Sequence, residues 1–305
     1  MTVLACLVWK LLPSSRQPLR FDAGVLKATW KFSSGAWLAV AFAQVATQCD
    51  KILLSTLLPL HWFGLYSLAI SVTAIIQRLA PPFTNSYFPH FVRLREQARP
   101  DLLAAVYRQA CEFASALFLA AGLSLVAYAG PIAQLLSPDP GGTAGLALVL
   151  ALLAAANMLN VEMALPFSLL FAHGVTAVAL RINSAQCVLY LAGLAILVPH
   201  YGVNAAALLW LAANAIALPV LIVMTHRAVL LGPASSWLVR AVLLPGCAAG
   251  LVLVMGAAVM PDLPRLPVLI WISLNAALAL AAALLAAPET RRLIRARVTG
   301  RDGAG

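Results

Sequence analysis

Long stretches without a single charged side chain dominate this sequence. The longest lies between Arg181 and Arg227 and contains 45 residues, and another fills the 26 positions between Lys51 and Arg78. A helix needs about 20 mostly apolar residues to cross a bilayer. The second stretch fits one crossing, and the longest fits two, with a break at residues 199–202 where proline and glycine occur. The chain is therefore expected to cross a membrane several times.

The composition excludes the soluble and the disordered classes of protein. Hydrophobic residues fill 63% of the 305 positions, charged residues fill 10%, and the mean hydropathy is +0.93. Soluble domains average roughly 25% charged and about 45–50% apolar residues, and disordered chains are poor in hydrophobic residues. The formal net charge of +10 indicates orientation in the bilayer rather than binding to nucleic acid, because basic residues collect on the cytoplasmic side.

We expect an all-α fold, a polytopic membrane helical bundle of about eight transmembrane helices. The predicted spans are residues 31–57, 63–87, 112–136, 143–165, 178–198, 203–225, 237–260 and 266–287. This arrangement puts 17 of the 20 basic residues on one face, so both termini are predicted to be cytoplasmic. The connection at residues 88–111 is interpreted either as an amphipathic helix at the interface or as a solvated linker.

Arg78 is the charged residue that lies deepest in a predicted span, where an unpaired charge costs several kcal/mol. Pro81 and Pro82 follow soon after it and remove backbone donors. We therefore expect a kinked helix that faces a wet interior, in which Arg78 forms an anion site. The alternative is that the long Arg78 side chain reaches the cytoplasmic interface.

Three acidic or basic residues in other spans have two interpretations each. Asp50 and Lys51 are adjacent near the outer end of the first span, so they are either functional or a mutually compensating pair with Lys51 reaching the interface. Glu162 is either a functional carboxyl or a carboxyl at the cytoplasmic helix end that water reaches.

The remaining polar and small residues favour structural roles. Gln44, Gln48 and Lys51 share one face of the first span, and interhelical hydrogen bonds explain the asparagines of later spans. Gly246 and Gly250 form a GxxxG pattern that permits close helix packing. The five cysteines and five histidines are scattered without paired spacing, so neither a metal site nor a cofactor is predicted.

Five short segments, in this order along the chain, resemble one family. They are FSSG at 32–35, CDKILLS at 49–55, FGLYSLA at 63–69, FPHF at 88–91 and YGVNAAA at 201–207. Together they resemble the polysaccharide biosynthesis family of Wzx-type O-antigen flippases, in the multidrug/oligosaccharidyl-lipid/polysaccharide exporter superfamily, over residues 20–225. Asn204 stands where the family usually has glycine.

The resemblance implies a transporter rather than an enzyme. It implies a flippase that moves an undecaprenyl-pyrophosphate-linked oligosaccharide across the bacterial plasma (inner) membrane for lipopolysaccharide O-antigen or other surface polysaccharide. Family members have two six-helix bundles around a central cavity, and only the second is matched here. The expected partners are the lipid-linked oligosaccharide, the bilayer, and a polysaccharide polymerase or a missing N-terminal half.

The same resemblance divides the chain into four parts and assigns the site. Residues 1–30 would be a cytoplasmic segment with the remnant of a helix, 31–225 the six-helix C-terminal bundle, 226–287 two additional transmembrane helices, and 288–305 a basic cytoplasmic tail. Asp50 and Lys51 occupy family motif positions and are expected to bind substrate near the outer gate. The physical argument adds Arg78 for the pyrophosphate, because a guanidinium meets phosphate with two bonds, and Glu162 as a residue that couples transport to protons or cations.

Two other functions stay open. A cation-coupled exporter of small molecules, similar to the multidrug and toxin extrusion (MATE) family, shares the architecture but is expected to use acidic groups deep in the bundle. The other open function is that of a membrane-embedded protein that takes part in polysaccharide assembly without transport activity. A membrane glycosyltransferase is disfavoured, because the predicted external loops are short and their ionisable residues form no cluster.

Overall fold

The computed structural model describes residues 23–137, 140–229, 232–261 and 264–292. Within these ranges the regular structure is entirely helical, which confirms the all-α prediction. The chain divides into two compact units, Met1–Ser34 and Gly35–Gly305. The first is described at residues 23–34, which are helical, and the bundle discussed below belongs to the second. Residues 1–22 of the predicted remnant and residues 293–305 of the predicted basic tail lie outside the described residues.

Ten helices are numbered here in chain order within the described ranges. They are α1 Ala23–Leu57, α2 Leu60–Gln77, α3 Ala80–Glu96, α4 Pro100–Ala127, α5 Ala129–Leu136, α6 Pro140–Glu162, α7 Ala164–Ala172, α8 Thr176–Val229, α9 Ala234–Ala258 and α10 Arg265–Ala286. A π-helical turn occupies Leu238–Leu243 inside α9.

Six helical segments of the described part are long and apolar enough to cross a membrane, judged by length and composition. They are Leu60–Glu96, Pro100–Ala127, Thr143–Ala172, Thr176–Val229, Ala234–Ala258 and Leu266–Ala286. This confirms a multi-pass helical bundle and differs from the predicted eight spans in two ways. The 54-residue helix α8 contains two predicted spans. The predicted first span, 31–57, is helical but is not among the six, since Asp50, Lys51 and its glutamines lower its hydropathy.

Helix α8 is interrupted at Gly202, in the predicted break. The backbone there has φ 67° and ψ −155°, a conformation that is open to glycine and disfavoured for other residues. The two arms, residues 176–201 and 203–229, touch near this point. A Cβ added to Gly193 would lie 2.9 Å from a methyl of Leu209. The glycine at 193 therefore lets the second arm pack closely against the first.

Where the sequence predicts a kink in the second span, the structure has a tighter turn at Arg78 and Leu79. Their backbone N–H groups bond to the carbonyls of Ile75 and Ile76, three residues earlier, at 3.2 and 3.1 Å. Prolines occupy the first turn of α3. The N–H groups of a first turn have no carbonyl partner within the helix, so the N–H that proline lacks is not missed there. This turn separates α2, which ends at Gln77, from α3, which begins at Ala80.

Residues 88–111 do not form a solvated linker, so this one of the two interpretations drawn from the sequence is wrong. Helix α3 continues to Glu96 and α4 begins at Pro100. Phe91 and Leu103 are buried against the bundle, and the Arg95 guanidinium donates a 3.0 Å bond to the carbonyl of Ala172 at the end of α7. The segment is amphipathic, as the other alternative proposed, with its apolar face packed.

The buried apolar side chains form three clusters. One surrounds Phe91, Tyr107 and Phe118, where α3, α4, α7 and α8 meet. A second, between α1, α2, α6 and α8, is rich in leucines such as Leu150. The third joins α9 and α10 to α4 through small residues such as Ala279. The second cluster is the one that borders the cavity described next.

Candidate functional site

A polar cavity of about 360 Å³ lies between α1, α2, α6 and α8. Its polar lining includes Gln44, Gln48, Asp50, Lys51, Asn157 and Trp210. Gln44 and Gln48 are exposed on α1, so the cavity opens along that helix. The sequence prediction that Gln44, Gln48 and Lys51 share a face is confirmed, and this face is one wall of the cavity.

Asn157 holds the inner wall of the cavity together. Its side-chain oxygen accepts bonds from the Trp210 indole at 3.0 Å and from the Gln77 amide at 3.2 Å. Its side-chain nitrogen donates to the Thr73 hydroxyl at 3.0 Å, and that hydroxyl donates to the carbonyl of Ala69 at 2.9 Å. These bonds connect α2, α6 and the second arm of α8 through one amide.

Asn214 is a second centre of the same wall and is fully buried. Its oxygen accepts from Asn160 at 2.7 Å and from Gln186 at 3.0 Å, and its nitrogen donates to the carbonyl of Trp210 at 2.8 Å. Gln77 also donates to Asn160, at 2.9 Å. We call this connected set the amide network; its members are Thr73, Gln77, Asn157, Asn160, Gln186, Trp210 and Asn214.

The other end of the cavity contains a buried carboxyl. Asp50 is 6% exposed, and the Tyr190 hydroxyl donates to its Oδ2 at 3.4 Å, which is long for such a bond. The Tyr66 and Tyr190 hydroxyls lie 3.4 Å apart. Oδ1 of Asp50 has no hydrogen-bond partner among the described residues. Lys51 donates to Gln48 on its own helix at 3.3 Å. Lys51, which is half-buried, can therefore form further bonds in the cavity, whereas Oδ1 of Asp50 is buried as well as unpartnered among the described residues.

Arg78 and Glu162 lie outside the lining of this cavity. Arg78 is exposed at the α2–α3 break and makes no ion pair with a described carboxylate. Glu162 is 3% exposed at the end of α6, and the Ser115 hydroxyl donates to its Oε2 at 2.5 Å. Oε1 of Glu162 has no hydrogen-bond partner within the described ranges. Burial of this carboxyl argues against the alternative in which water reaches it at the helix end.

Sequence reasoning missed the aromatic part of the site and the connection between its amides. Tyr66, Tyr190 and Trp210 were not singled out, although Tyr66 lies in the FGLYSLA segment. The Tyr190 and Trp210 rings are 5.0 Å apart, on either side of the break at Gly202. A hairpin centred on that break brings these two positions together, which is the signal that could have found them.

The described residues contain no group of three or more histidine, cysteine or acidic side chains that could hold a metal ion. The chemistry of the cavity is therefore carried by amides, aromatic rings, hydroxyls and the two charged groups Asp50 and Lys51.

Comparison with known families concerns the first part of the chain. A family model described as polysaccharide biosynthesis protein matches residues 1–139. Residues 1–139 are similar to that family. The match supports the predicted family resemblance from residue 20 to 139, a part that includes Asp50, Lys51 and Arg78, and it does not extend over 140–225. No curated protein matches the chain.

Proposed function

We propose that this protein translocates a lipid-linked oligosaccharide across the inner membrane of a bacterium during the synthesis of a surface polysaccharide. The observation that carries the proposal is the polar cavity inside a set of apolar, membrane-spanning helices. Buried polar groups in a membrane are expensive and are a sign of a substrate path. The family match of residues 1–139 to a polysaccharide biosynthesis protein supports the substrate class.

The lining suits a sugar that carries a phosphate. Amide groups such as Gln44 and Gln48 can exchange hydrogen bonds with sugar hydroxyls, and the Trp210 and Tyr190 rings offer flat surfaces. Lys51 supplies a cation for phosphate, and Asp50 supplies an acceptor for a hydroxyl. In this proposal Asp50 and Lys51 bind the substrate directly.

A second helical bundle completes the cavity in this proposal. Gln44, Gln48, Lys51 and Ser55 follow one another at helical spacing along α1, and all but the partly buried Lys51 are exposed. Such a polar stripe is costly against lipid chains but stable against water or another polar surface. The expected partner is an N-terminal half of the transporter, and a polysaccharide polymerase is a further candidate.

Arg78 is proposed to bind the pyrophosphate outside the cavity. Its guanidinium is exposed and makes no ion pair with the described carboxylates, so it is free to form two bonds to a phosphate group. Replacing Arg78 with alanine is expected to abolish translocation while membrane insertion stays intact. Unchanged translocation by Arg78→Ala would contradict this role and favour an arginine that reaches the interface.

Glu162 is proposed to couple translocation to a proton or cation. Its buried carboxyl has one bonded and one free oxygen within the described residues. Glu162→Gln keeps the shape and removes the charge, so it is expected to uncouple transport from an ion gradient without preventing substrate binding. Gradient dependence equal to that of the unchanged protein would contradict the role.

Proteoliposomes that contain the full chain with its co-purifying partners test the proposed function. The lumenal or external location of a fluorescent pyrophosphate-linked oligosaccharide is read by a quencher that does not cross the bilayer. Lys51→Met is expected to slow translocation at least about tenfold, the loss of one charge-assisted bond, and Lys51→Arg to preserve it. Arg99→Met is the control, because Arg99 is exposed at the start of α4, outside the cavity.

Two results would overturn the proposal. One is no translocation of the oligosaccharide by the unchanged protein, and the other is equal loss in Lys51→Met and Arg99→Met. A cation-coupled exporter of small molecules is the second candidate, because the buried Asp50 carboxyl lines the cavity with one oxygen free of partners among the described residues. Sodium- or proton-driven export of an organic cation that Asp50→Asn abolishes would favour it.

A further inference from the structure

An apolar groove of about 400 Å³ runs between the two arms of α8, separate from the polar cavity. Its walls include Leu189 and Ile216, which are 71% and 67% exposed. Small side chains on both walls, including Ala185 and Ala213, leave room between the arms. The groove ends at Leu209, where the arms touch at Gly193. It is therefore an elongated apolar slot that is closed at the end nearer the α8 break.

The open end of the groove has one cation in its lining and a second one beyond it, three residues after the lining residue Met224. Arg181 is part of the lining on the first arm. On the second arm, Arg227 follows Leu209 by 18 residues, or five helical turns, so it continues the stripe of Leu209, Ile216 and Val220. Both arginines are exposed, and neither makes an ion pair with a carboxylate in the described part of the chain. An apolar slot with one arginine in its lining and a second about one helical turn beyond its open end matches an anionic amphiphile.

The groove and the polar cavity share a wall. Gln186 and Tyr190 line the groove, and Tyr190 also lines the cavity. Gln186 donates to Asn214 and so belongs to the amide network. A molecule with an apolar chain in the groove therefore lies against the back of the residues that form the cavity.

We propose that this groove binds the apolar chain of a phosphate-bearing membrane lipid, with the phosphate at Arg181 and Arg227. The inference rests on the proposed function, because it makes the groove the place where the lipid-linked substrate docks before its polar part enters the cavity. Ordinary contact with bilayer lipid would need neither the slot nor the two arginines near its end. The chemical class is a long-chain lipid phosphate, and a neutral lipid of the same chain binds weakly.

Photolabelling tests this directly. The full chain in phosphatidylcholine nanodiscs is irradiated with a polyprenyl phosphate that carries a diazirine near the end of its chain, and the labelled residues are mapped by mass spectrometry. Label is expected on the walls of the groove at Leu189 and Ile216. Ile270 and Leu274 of α10, which are 68% and 58% exposed, are the reference for general lipid contact. Unlabelled polyprenyl phosphate should compete, and polyprenol should not.

Two sets of variants separate the slot from the charges. Ala213→Trp fills the groove and should lower the label there at least about fivefold, whereas Ala281→Trp, on the exposed side of α10, should not change it. The double variant Arg181→Gln and Arg227→Gln should weaken competition by polyprenyl phosphate at least about tenfold, since the charge-assisted bonds are lost. Elution as a single species in detergent confirms that each variant is folded. If Ala213→Trp is not folded, Ala212→Trp, at a neighbouring position of the groove lining, takes its place.

The outcomes also separate this inference from the proposed function. Label on α10 equal to that in the groove, or equal competition by polyprenol, overturns the groove site even if the oligosaccharide is translocated. Groove label that depends on phosphate and on Ala213 supports the site, even if proteoliposomes translocate no oligosaccharide. In that last case the proposed function fails and the lipid site stands.

Discussion

Asparagine occurs in the same kind of apolar helix in two regions of the molecule, with different surroundings. Asn214, beside the polar cavity, is fully buried and bonds to Asn160, Gln186 and the carbonyl of Trp210. Asn275, in the α9–α10 pair, is 7% exposed and donates to the carbonyl of Trp271 on its own helix at 3.0 Å. The first links three helical segments, whereas the second stays within one.

The α9–α10 pair is held by close fit. The Trp271 indole donates to the carbonyl of Gly256 at 3.1 Å, so the two helices approach at that glycine. A Cβ added to Gly256 would overlap the Asn275 side chain and lie 2.9 Å from the Tyr128 hydroxyl. A network of bonds between side chains thus defines the cavity wall, whereas a missing side chain at Gly256 and one indole-to-carbonyl bond define the pair. Because the cavity wall and the α9–α10 pair are stabilised by different contacts, substitutions in the two regions should have different effects.

Asn214→Leu is expected to have the largest effect. The change removes the acceptor of two amide donors, those of Asn160 and Gln186, and leaves these half-buried groups without that partner. A fully buried donor without a partner costs about 1–3 kcal/mol, and because these two are half-buried, we expect a combined loss of about 2 to 4 kcal/mol in the free energy of unfolding, below the upper limit for two such donors. Reversible unfolding in mixed micelles measures it.

Asn204→Leu is the matched control for that prediction. Asn204 is exposed, on the same arm of α8, and the amide network does not include it. The same substitution there should change the free energy of unfolding by less than about 0.5 kcal/mol. Equal losses in the two variants would mean that the network does not stabilise the cavity wall.

Gly256→Ala is expected to be the second largest change. The new methyl group overlaps the Asn275 side chain and crowds Tyr128, and overpacking of this kind costs about 1–3 kcal/mol. The loss should be confined to the α9–α10 pair. Hydrogen exchange that rises in α9 and α10 but not in α8 is the expected reading, and a rise throughout the bundle would contradict the division into two regions.

Asn275→Ala is expected to have a small effect alone and a larger one in combination. Alone it removes a bond to a carbonyl of its own helix, so a loss of about 0.5 kcal/mol is expected. With Gly256→Ala it also removes the overlapping atoms, so the double variant should be more stable than Gly256→Ala. A double-mutant cycle measures this coupling, and strictly additive losses would show that the two residues do not meet.

The positions of the helices and of their breaks were predictable from the sequence because they depend on local composition. The turn beside Pro81 and the break at Gly202 follow from what proline and glycine do to a backbone. The α3–α4 connection was partly missed, because Phe91 and Leu103 are buried by contacts from distant helices. A window of sequence that contains arginines does not reveal those contacts.

The cavity was harder to predict than the fold. Asp50 and Lys51 were found because a charge inside an apolar stretch is conspicuous. The amide network was not, since Gln77, Asn157 and Gln186 are far apart in sequence and meet only when α2, α6 and α8 pack. Depth in a span also does not decide which way a side chain points: Gln77 lines the cavity, and its neighbour Arg78 is exposed outside it.

The smallest expected effect concerns the GxxxG pattern at Gly246 and Gly250. The pattern permits close helix packing, but a methyl group fits beside either glycine. A Cβ on Gly246 would lie 3.6 Å from a Leu119 methyl, and one on Gly250 would lie 4.0 Å from Leu123, both ordinary contacts. Alanine is favoured over glycine in a helix interior by up to about 1 kcal/mol, so Gly246→Ala should leave stability unchanged or raise it slightly. The free energies of unfolding of Gly246→Ala and Gly256→Ala, measured side by side, give the difference. A comparable loss in both variants would mean that α9 packs through its glycines along its whole length rather than at one point.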